Sequence, residues 1–346
     1  MEGTVLPARS EPYAVDFTPH FSAQTDRSFG DMMSPFQRTS ETASSIIAPM
    51  RASPVLLAGA ALCAACGVRI GDPSEVPDGG PAGPDSGSPG PDAVALGPWG
   101  TPVAIAGAAT AGAEDDGTLA STTNELVFAL VDATAGTKDL WYMYRPSSTG
   151  AWTGLKKLPF NDATASDETP RFSPDNITLY FASGRAGGLG GLDIYKVTRS
   201  ATGPAGTWGT PQPVAGVSTT GVDKWFMPCA TGNTYLTIVG ADIGEGTLGS
   251  PPAVSAALSS TTGTETGTFL SDDCLTTYFA STRSGTNQIY VSTRTAIGMP
   301  WSTPTVVTDF PQGTAAQEDP WISADRRTFL FSSNAGGTKD VYISTR

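Results

Sequence analysis

The residue types that could do chemistry in this chain are carboxylates, and they recur at one place in a repeated pattern. Asp115, Asp167, Asp223, Glu265 and the pair Gln317-Glu318 each stand six residues ahead of the Ser or Cys (Ser121, Ser173, Cys229, Ser271, Ser323) that opens a recurring block. Glu168 and Asp319 add further acids beside them. Gathered around one opening, such a set would concentrate negative potential and suit a cation, a basic peptide, or the two carboxylates of a glycoside hydrolase, which work about 5–10 Å apart. The same residues also fit a structural task, bonding backbone N–H groups at the turns that lead into strands. A carboxylate present in every repeat favours that task, because a catalytic residue should stand out in one or two repeats. Trp225 and Trp321 lie near the same positions, where they could stack on a sugar or peptide or pack between repeats.

Other chemistries are excluded by what the chain lacks. Its single histidine, His20, precedes the segment read below as an export signal, which leaves no imidazole for serine–histidine or cysteine–histidine hydrolysis or for metal ligation. No metal centre and no cofactor is expected. Acidic residues outnumber basic ones 33 to 20, a net charge of -13 that would repel nucleic acid and anionic bilayers. The run Gly187-Gly188-Leu189-Gly190-Gly191 is flanked by strand-like residues and opens no helix, so it reads as a hairpin loop and not as a phosphate cradle.

The elements that must position these residues are β-strands. With 40 Gly and 28 Pro, and only 15% charged residues, the composition belongs to turns and short strands. Self-similarity is plain, at a period of about 50 residues. The run from Ser173 to Phe181 matches those from Ser271 to Phe279 and from Ser323 to Phe331, and each is followed by a second element, at Asp193-Ile194-Tyr195, Gln288-Ile289-Tyr290 and Asp340-Val341-Tyr342. Worn copies of the two lie at Ser121–Phe128 with Lys138–Trp141, and around Cys229–Thr237. A third element, Trp-x-x-Pro, stands at Trp99, Trp208 and Trp301, with worn versions at Trp152 and Leu248. That makes five copies, the last divided: the block from Ser323 runs out of chain before its Trp, while Trp99 has no block in front of it. Three strand-like runs followed by a proline-bearing edge run make a four-stranded blade. The expectation is an all-β, five-bladed β-propeller over 98–346, its last blade closed by the N-terminal strand at about 101–106 against 340–345.

The stretch from Ser173 through Asp193-Ile194-Tyr195 resembles the WD40-like repeat of TolB-type β-propellers, and the likeness covers 99–346, strongly in three repeats and weakly in two. The resemblance implies a rigid platform for protein contacts at the bacterial envelope.

The N-terminal region carries an address. Residues 52–65 form an apolar run after Met50-Arg51, too short to span a bilayer at about 20 residues but suited to a secretory signal. Leu62-Cys63-Ala64-Ala65-Cys66 resembles a bacterial lipobox, which implies a lipidated Cys66 and membrane attachment through that lipid alone. Cys63 stands where the pattern has Leu, so ordinary cleavage and secretion is the alternative. The divisions expected are thus an upstream mis-start or disordered segment over 1–49, a signal over 50–66, a Pro/Gly/Asp-rich tether over 67–97 and the propeller. In an oxidising compartment Cys229 and Cys274 invite a disulfide joining consecutive repeats, provided their Cα atoms come within about 7 Å. The function expected is an exported, lipid-anchored, non-enzymatic platform for envelope proteins or glycan; the alternative is a glycoside hydrolase or lectin using the carboxylates.

Overall fold

Every element in the computed structural model, which describes residues 96–131, 136–310 and 312–346, is a strand. Blade one is β2 (Glu114–Leu119), β3 (Glu125–Val131), β4 (Lys138–Tyr144) and β5 (Thr153–Lys157). Blade two is β6 (Asp167–Phe172), β7 (Thr178–Ser183), β8 (Asp193–Thr198) and β9 (Gln212–Pro213). Blade three is β10 (Asp223–Pro228), β11 (Thr234–Val239), β12 (Asp242–Thr247) and β13 (Ala253–Val254); blade four is β14 (Glu265–Leu270), β15 (Thr276–Ser281), β16 (Gln288–Thr293) and β17 (Thr305–Val306). Blade five takes β18 (Gln317–Ile322), β19 (Thr328–Ser333) and β20 (Asp340–Thr345) from the C-terminus, and β1 (Val103–Ala104) from the far end of the described chain. The innermost strands β2, β6, β10, β14 and β18 touch in succession, and β18 returns to β2, so the ring is closed. The chain is a five-bladed β-propeller. The segment over 1–49, the export signal and the tether up to residue 95 lie outside the described residues.

The closing strand sits where the split repeat demands. Val103 faces Ile343 and Ala104 faces Tyr342 in antiparallel register, and the Gly100 and Ile105 N–H groups extend the ladder to the carbonyls of Thr345 and Val341. Edge strands β1, β9, β13 and β17 are two residues long, each entered through a proline, at Pro102, Pro211, Pro252 and Pro304. Proline cannot donate to a ladder, so pairing stays short. In blade one, where Gly154-Leu155 stands in the proline's place, β5 runs to five residues.

A second repeated device fastens the blades. Arg145, Arg199, Arg294 and Arg346 follow the third strand of their blades, and their guanidinium groups lie 4.7, 5.3, 4.2 and 4.1 Å from the ring centres of Trp152, Trp208, Trp301 and Trp99. Each donates through Nε to the carbonyl of a left-handed residue in the inner hairpin: Thr123, Asn176, Cys274 and Arg326. The Trp element is therefore one half of an arginine–tryptophan clasp. In blade three Leu248 holds the arginine position, its N–H bonding the Asn233 carbonyl as that of Arg199 bonds Ile177, and Gly249 holds the Trp position, one residue beyond the place read from the sequence, so that blade has no such clasp. Its inner turn is tied instead by a disulfide between Cys229 and Cys274, with Cα atoms 5.3 Å apart, to the matching turn of blade four.

All five innermost strands share an irregularity. The pairing register shifts after the second residue, and the third residue has a left-handed backbone: Asp116, Thr169, Trp225, Gly267 and Asp319, with φ of 51 to 58°. Bulges of this kind re-aim side chains, here those of the second and third residues.

Candidate functional site

The bulges sort the acids of the innermost strands into two classes. First-position residues Glu114, Asp167, Asp223, Glu265 and Gln317 are buried and turn back to the loop that leads into their strand. The N–H groups of Thr110, Asp162, Thr219 and Ser260 donate to the four carboxylates at 2.9, 2.6, 2.7 and 3.2 Å, and the Gln317 amide donates to the Gln312 carbonyl at 2.6 Å. Asp167 and Glu265 are further held by Arg185 at 2.8 Å and Arg283 at 3.0 Å. In blade one the first-position residue is Glu114, not Asp115. Ala120, whose N–H bonds the Glu125 carbonyl as that of Ser173 bonds Thr178, holds the place assigned from sequence to Ser121. The frame in that worn repeat is thus one residue off.

Second- and third-position residues enter the channel. Asp115, Asp116, Glu168, Glu318 and Asp319 meet there with Lys138, Lys224, Lys339 and Arg171. Lys138 lies 3.0, 3.1 and 3.2 Å from Asp115, Asp116 and Glu168; Lys224 lies 3.1 Å from Glu168; Lys339 lies 3.2 Å from Asp115 and 2.5 Å from Glu318. The Trp225 indole N–H donates to Asp116 at 2.8 Å, and the Asn287 amide to Glu318 at 2.7 Å. Lys138, Asn287 and Lys339 occupy one repeat position, at the entry to the third strand, and each reaches an acid on the next blade. The sequence carried this signal in Lys138-Asp139 and Lys339-Asp340, but nothing in the spacing said that the residue before Asp points inward.

Burial sets the electrostatics. It pushes the Asp116 carboxyl above the ordinary range, and the nearby Asp115 charge adds to this. Asp319 is pushed well above it, by burial and then by Asp116 and Asp115. Burial would raise Asp115 as well, but Lys138, a hydrogen bond with the Asp319 carboxyl and Lys339 outweigh it and hold Asp115 below the usual range. For Lys138, burial is overcome by Asp116 and Asp115, which keep its ammonium charged well beyond the ordinary lysine range.

The opposite ends of the same strands enclose a cavity of about 260 Å³. Its floor is apolar, with Leu119, Phe172, Met227, Phe269, Trp321 and Ile322; Ser173, Asn176, Ser271, Asp272, Ser323 and Arg326 stand among its polar lining. Trp321 therefore belongs to the cavity, where it packs edge-on against Phe269 with centroids 6.2 Å apart, and Trp225 belongs to the charged cluster. The Asp residues of the Ser-x-Asp blocks serve their turns: Asp175, Asp273 and Asp325 accept from the N–H groups of Ile177, Leu275 and Arg327 at 2.8, 2.9 and 3.0 Å. The glycine run is a loop between β7 and β8, and Gly190 lies so close to the Thr220 carbonyl that a Cβ would meet it at 2.3 Å.

No protein-family model and no curated protein matches the chain. Among solved structures it is similar to a putative TolB from Agrobacterium tumefaciens, at 17% identity over 70% of this chain and 82% of that one, with a TM-score of 0.44. It is also similar to TolB from Acinetobacter baumannii, at 12% identity over 56% of this chain and 46% of that one, TM-score 0.36. A thermostable family-43 glycoside hydrolase matches at 12% identity over 70% and 92%, TM-score 0.48. By its own strand order, the chain is a five-bladed β-propeller with a charged cluster at one end of its channel and an apolar cavity at the other.

Proposed function

We propose that the protein is a binding module of the bacterial envelope which seats a large apolar side chain of a protein partner in the cavity at the inner hairpins. The cavity carries this reading: an apolar floor ringed by hydroxyl, amide and charged groups has the composition of an interface anchor pocket, where one buried side chain supplies most of the energy and the rim supplies orientation. Export and lipid attachment at Cys66 rest on the lipobox-like sequence, and the tether over 67–97 would hold the propeller clear of the membrane.

A hydrolase on the same fold would need two carboxylates open to one substrate. Asp115 and Asp319 are shifted in opposite directions, as an acid and its partner would be, but they lie at the other end of the innermost strands from the cavity, among lysines. Trp321, only 5% exposed, offers a sugar no free ring face. These features favour binding over glycan processing.

The test is selection from a random peptide display library on the full chain. Selected peptides should share a large apolar residue and lose at least tenfold in affinity to Ser173→Trp, which fills the rim. Peptides without such a residue, or affinity unchanged in Ser173→Trp, would overturn the proposal.

A further inference from the structure

The charged cluster contains an oxygen cage that its own cations do not satisfy. Asp115 and Asp319 approach from neighbouring innermost strands β2 and β18, with Glu318 beside Asp319, and one carboxylate oxygen of each lies within 4.8 Å of the others. Acids that gather in this way need no ligand in themselves. The independent observation is that neither Oδ atom of Asp319, a residue 1% exposed, meets an N–H or hydroxyl donor among the described residues, its carboxyl lying only against that of Asp115, although its neighbours Asp115 and Glu318 are met by Lys339 and Asn287. A buried carboxylate oxygen left unpaired is costly, and each one asks for an explanation.

The surroundings fix Asp319 and leave one cation free to move. Position three of blade four is Gly267, and a Cβ there would meet the Asp319 Cα and N at 2.5 Å, so the Asp319 backbone itself fills the place of a side chain at that position. The Lys339 ammonium spans Asp115 and Glu318 from the rim, with its side chain 30% exposed, so it can withdraw into solvent.

We propose that Asp115, Glu318 and Asp319 form a site for a hard divalent cation of the calcium type, in which Lys339 acts as a stand-in cation that the metal displaces. Three carboxylates that can bind through one or both oxygens, with water completing the shell, fit the flexible all-oxygen coordination of calcium better than the thiolate and imidazole sets of softer metals. The cluster carries five carboxylates against three lysines and one arginine, so a divalent ion that displaces one ammonium leaves its charge close to balance. The site is independent of the cavity and of any peptide seated there.

The full chain is titrated with terbium, a luminescent calcium surrogate, excited through tryptophan; Trp225 lies within the cluster. Saturable luminescence that calcium reverses is expected, with binding at least tenfold weaker in Asp319→Asn and in Glu318→Gln, and tighter in Lys339→Met. Circular dichroism checks that each variant is folded, and the more exposed Glu318→Gln serves if Asp319→Asn is not. Absence of saturable luminescence in both the wild-type chain and Lys339→Met, or equal binding in wild type and Glu318→Gln, would overturn the site. A proton shared between Asp115 and Asp319 would then account for the unpaired oxygens.

Discussion

Asp273 and Asp325 show how single residues make the repeat. Each accepts a hydroxyl hydrogen bond from the Ser two residues earlier, Ser271 at 2.6 Å and Ser323 at 2.5 Å, and a backbone N–H from two residues later. The serine bond comes first in holding both carboxyls below their ordinary value of 3.8, and the backbone N–H adds to it. A folded-state value below the unfolded one means that the unfolded chain takes up its proton first as pH falls. The stability these turns contribute is therefore present above 3.8 and lost on acidification below it. The melting midpoint of the wild-type chain should accordingly fall between about pH 4 and about pH 2 more steeply than that of the double variant Ser271→Ala/Ser323→Ala. At neutral pH each serine should matter by only about 0.5 kcal/mol, because both carboxylates are mostly exposed and screened. Equal pH profiles for the two proteins would refute this account of the motif.

Among the elements, blade three is the informative exception. Its arginine position is Leu248, which is 40% exposed, and its Trp position is Gly249, so the clasp that ties edge strand to inner hairpin elsewhere is missing. The Cys229–Cys274 bond, between residues 45 apart, joins its inner hairpin to that of blade four instead. The blade-four hairpin lines the cavity with Asp272 and Asp273, and blade three reaches it with Met227 of β10. Closing a loop of that length typically stabilises a domain by about 2–4 kcal/mol. Cys229→Ala/Cys274→Ala should thus unfold earlier in denaturant by about that amount, and reductant should lower the wild-type midpoint while leaving the variant unmoved. A reductant effect of equal size in both would show that the bond is not what holds blade three.

The whole ring depends on one seam. β1 contributes few ladder bonds, but Trp99 is buried against Phe329, 5.4 Å between ring centres, and lies under the Arg346 guanidinium at the end of the chain. The seam thus uses the same clasp as the other blades, with its halves drawn from the two ends of the propeller. Trp99→Ala should cost about 3–5 kcal/mol by denaturant unfolding, as for other buried tryptophans. It should also raise hydrogen exchange along β20 and β1 before the rest, since the closing strand can leave without breaking any other blade. Uniform exchange across all five blades in that variant would contradict a seam of this kind.

The blade count, the split repeat and the partner of the closing strand were all determined by the sequence, because a radial fold repeats its local rules and each rule leaves a mark at a fixed spacing: Ser-x-Asp at a turn, Trp-x-x-Pro at an edge. The lysines, the second- and third-position acids and the cavity were decided by tertiary structure. A bulge in each innermost strand shifts the two-residue alternation, so that Asp116 and Asp319 point inward while Asp167 and Glu265, the acids that looked most alike in sequence, turn back to their own loops. Strand alternation predicts facing only while the register is unbroken, and the register breaks where the left-handed residue sits. Side chains from neighbouring blades then meet across the channel, and which ones meet is set by packing around the ring, a relation between residues far apart that spacing within one repeat does not encode.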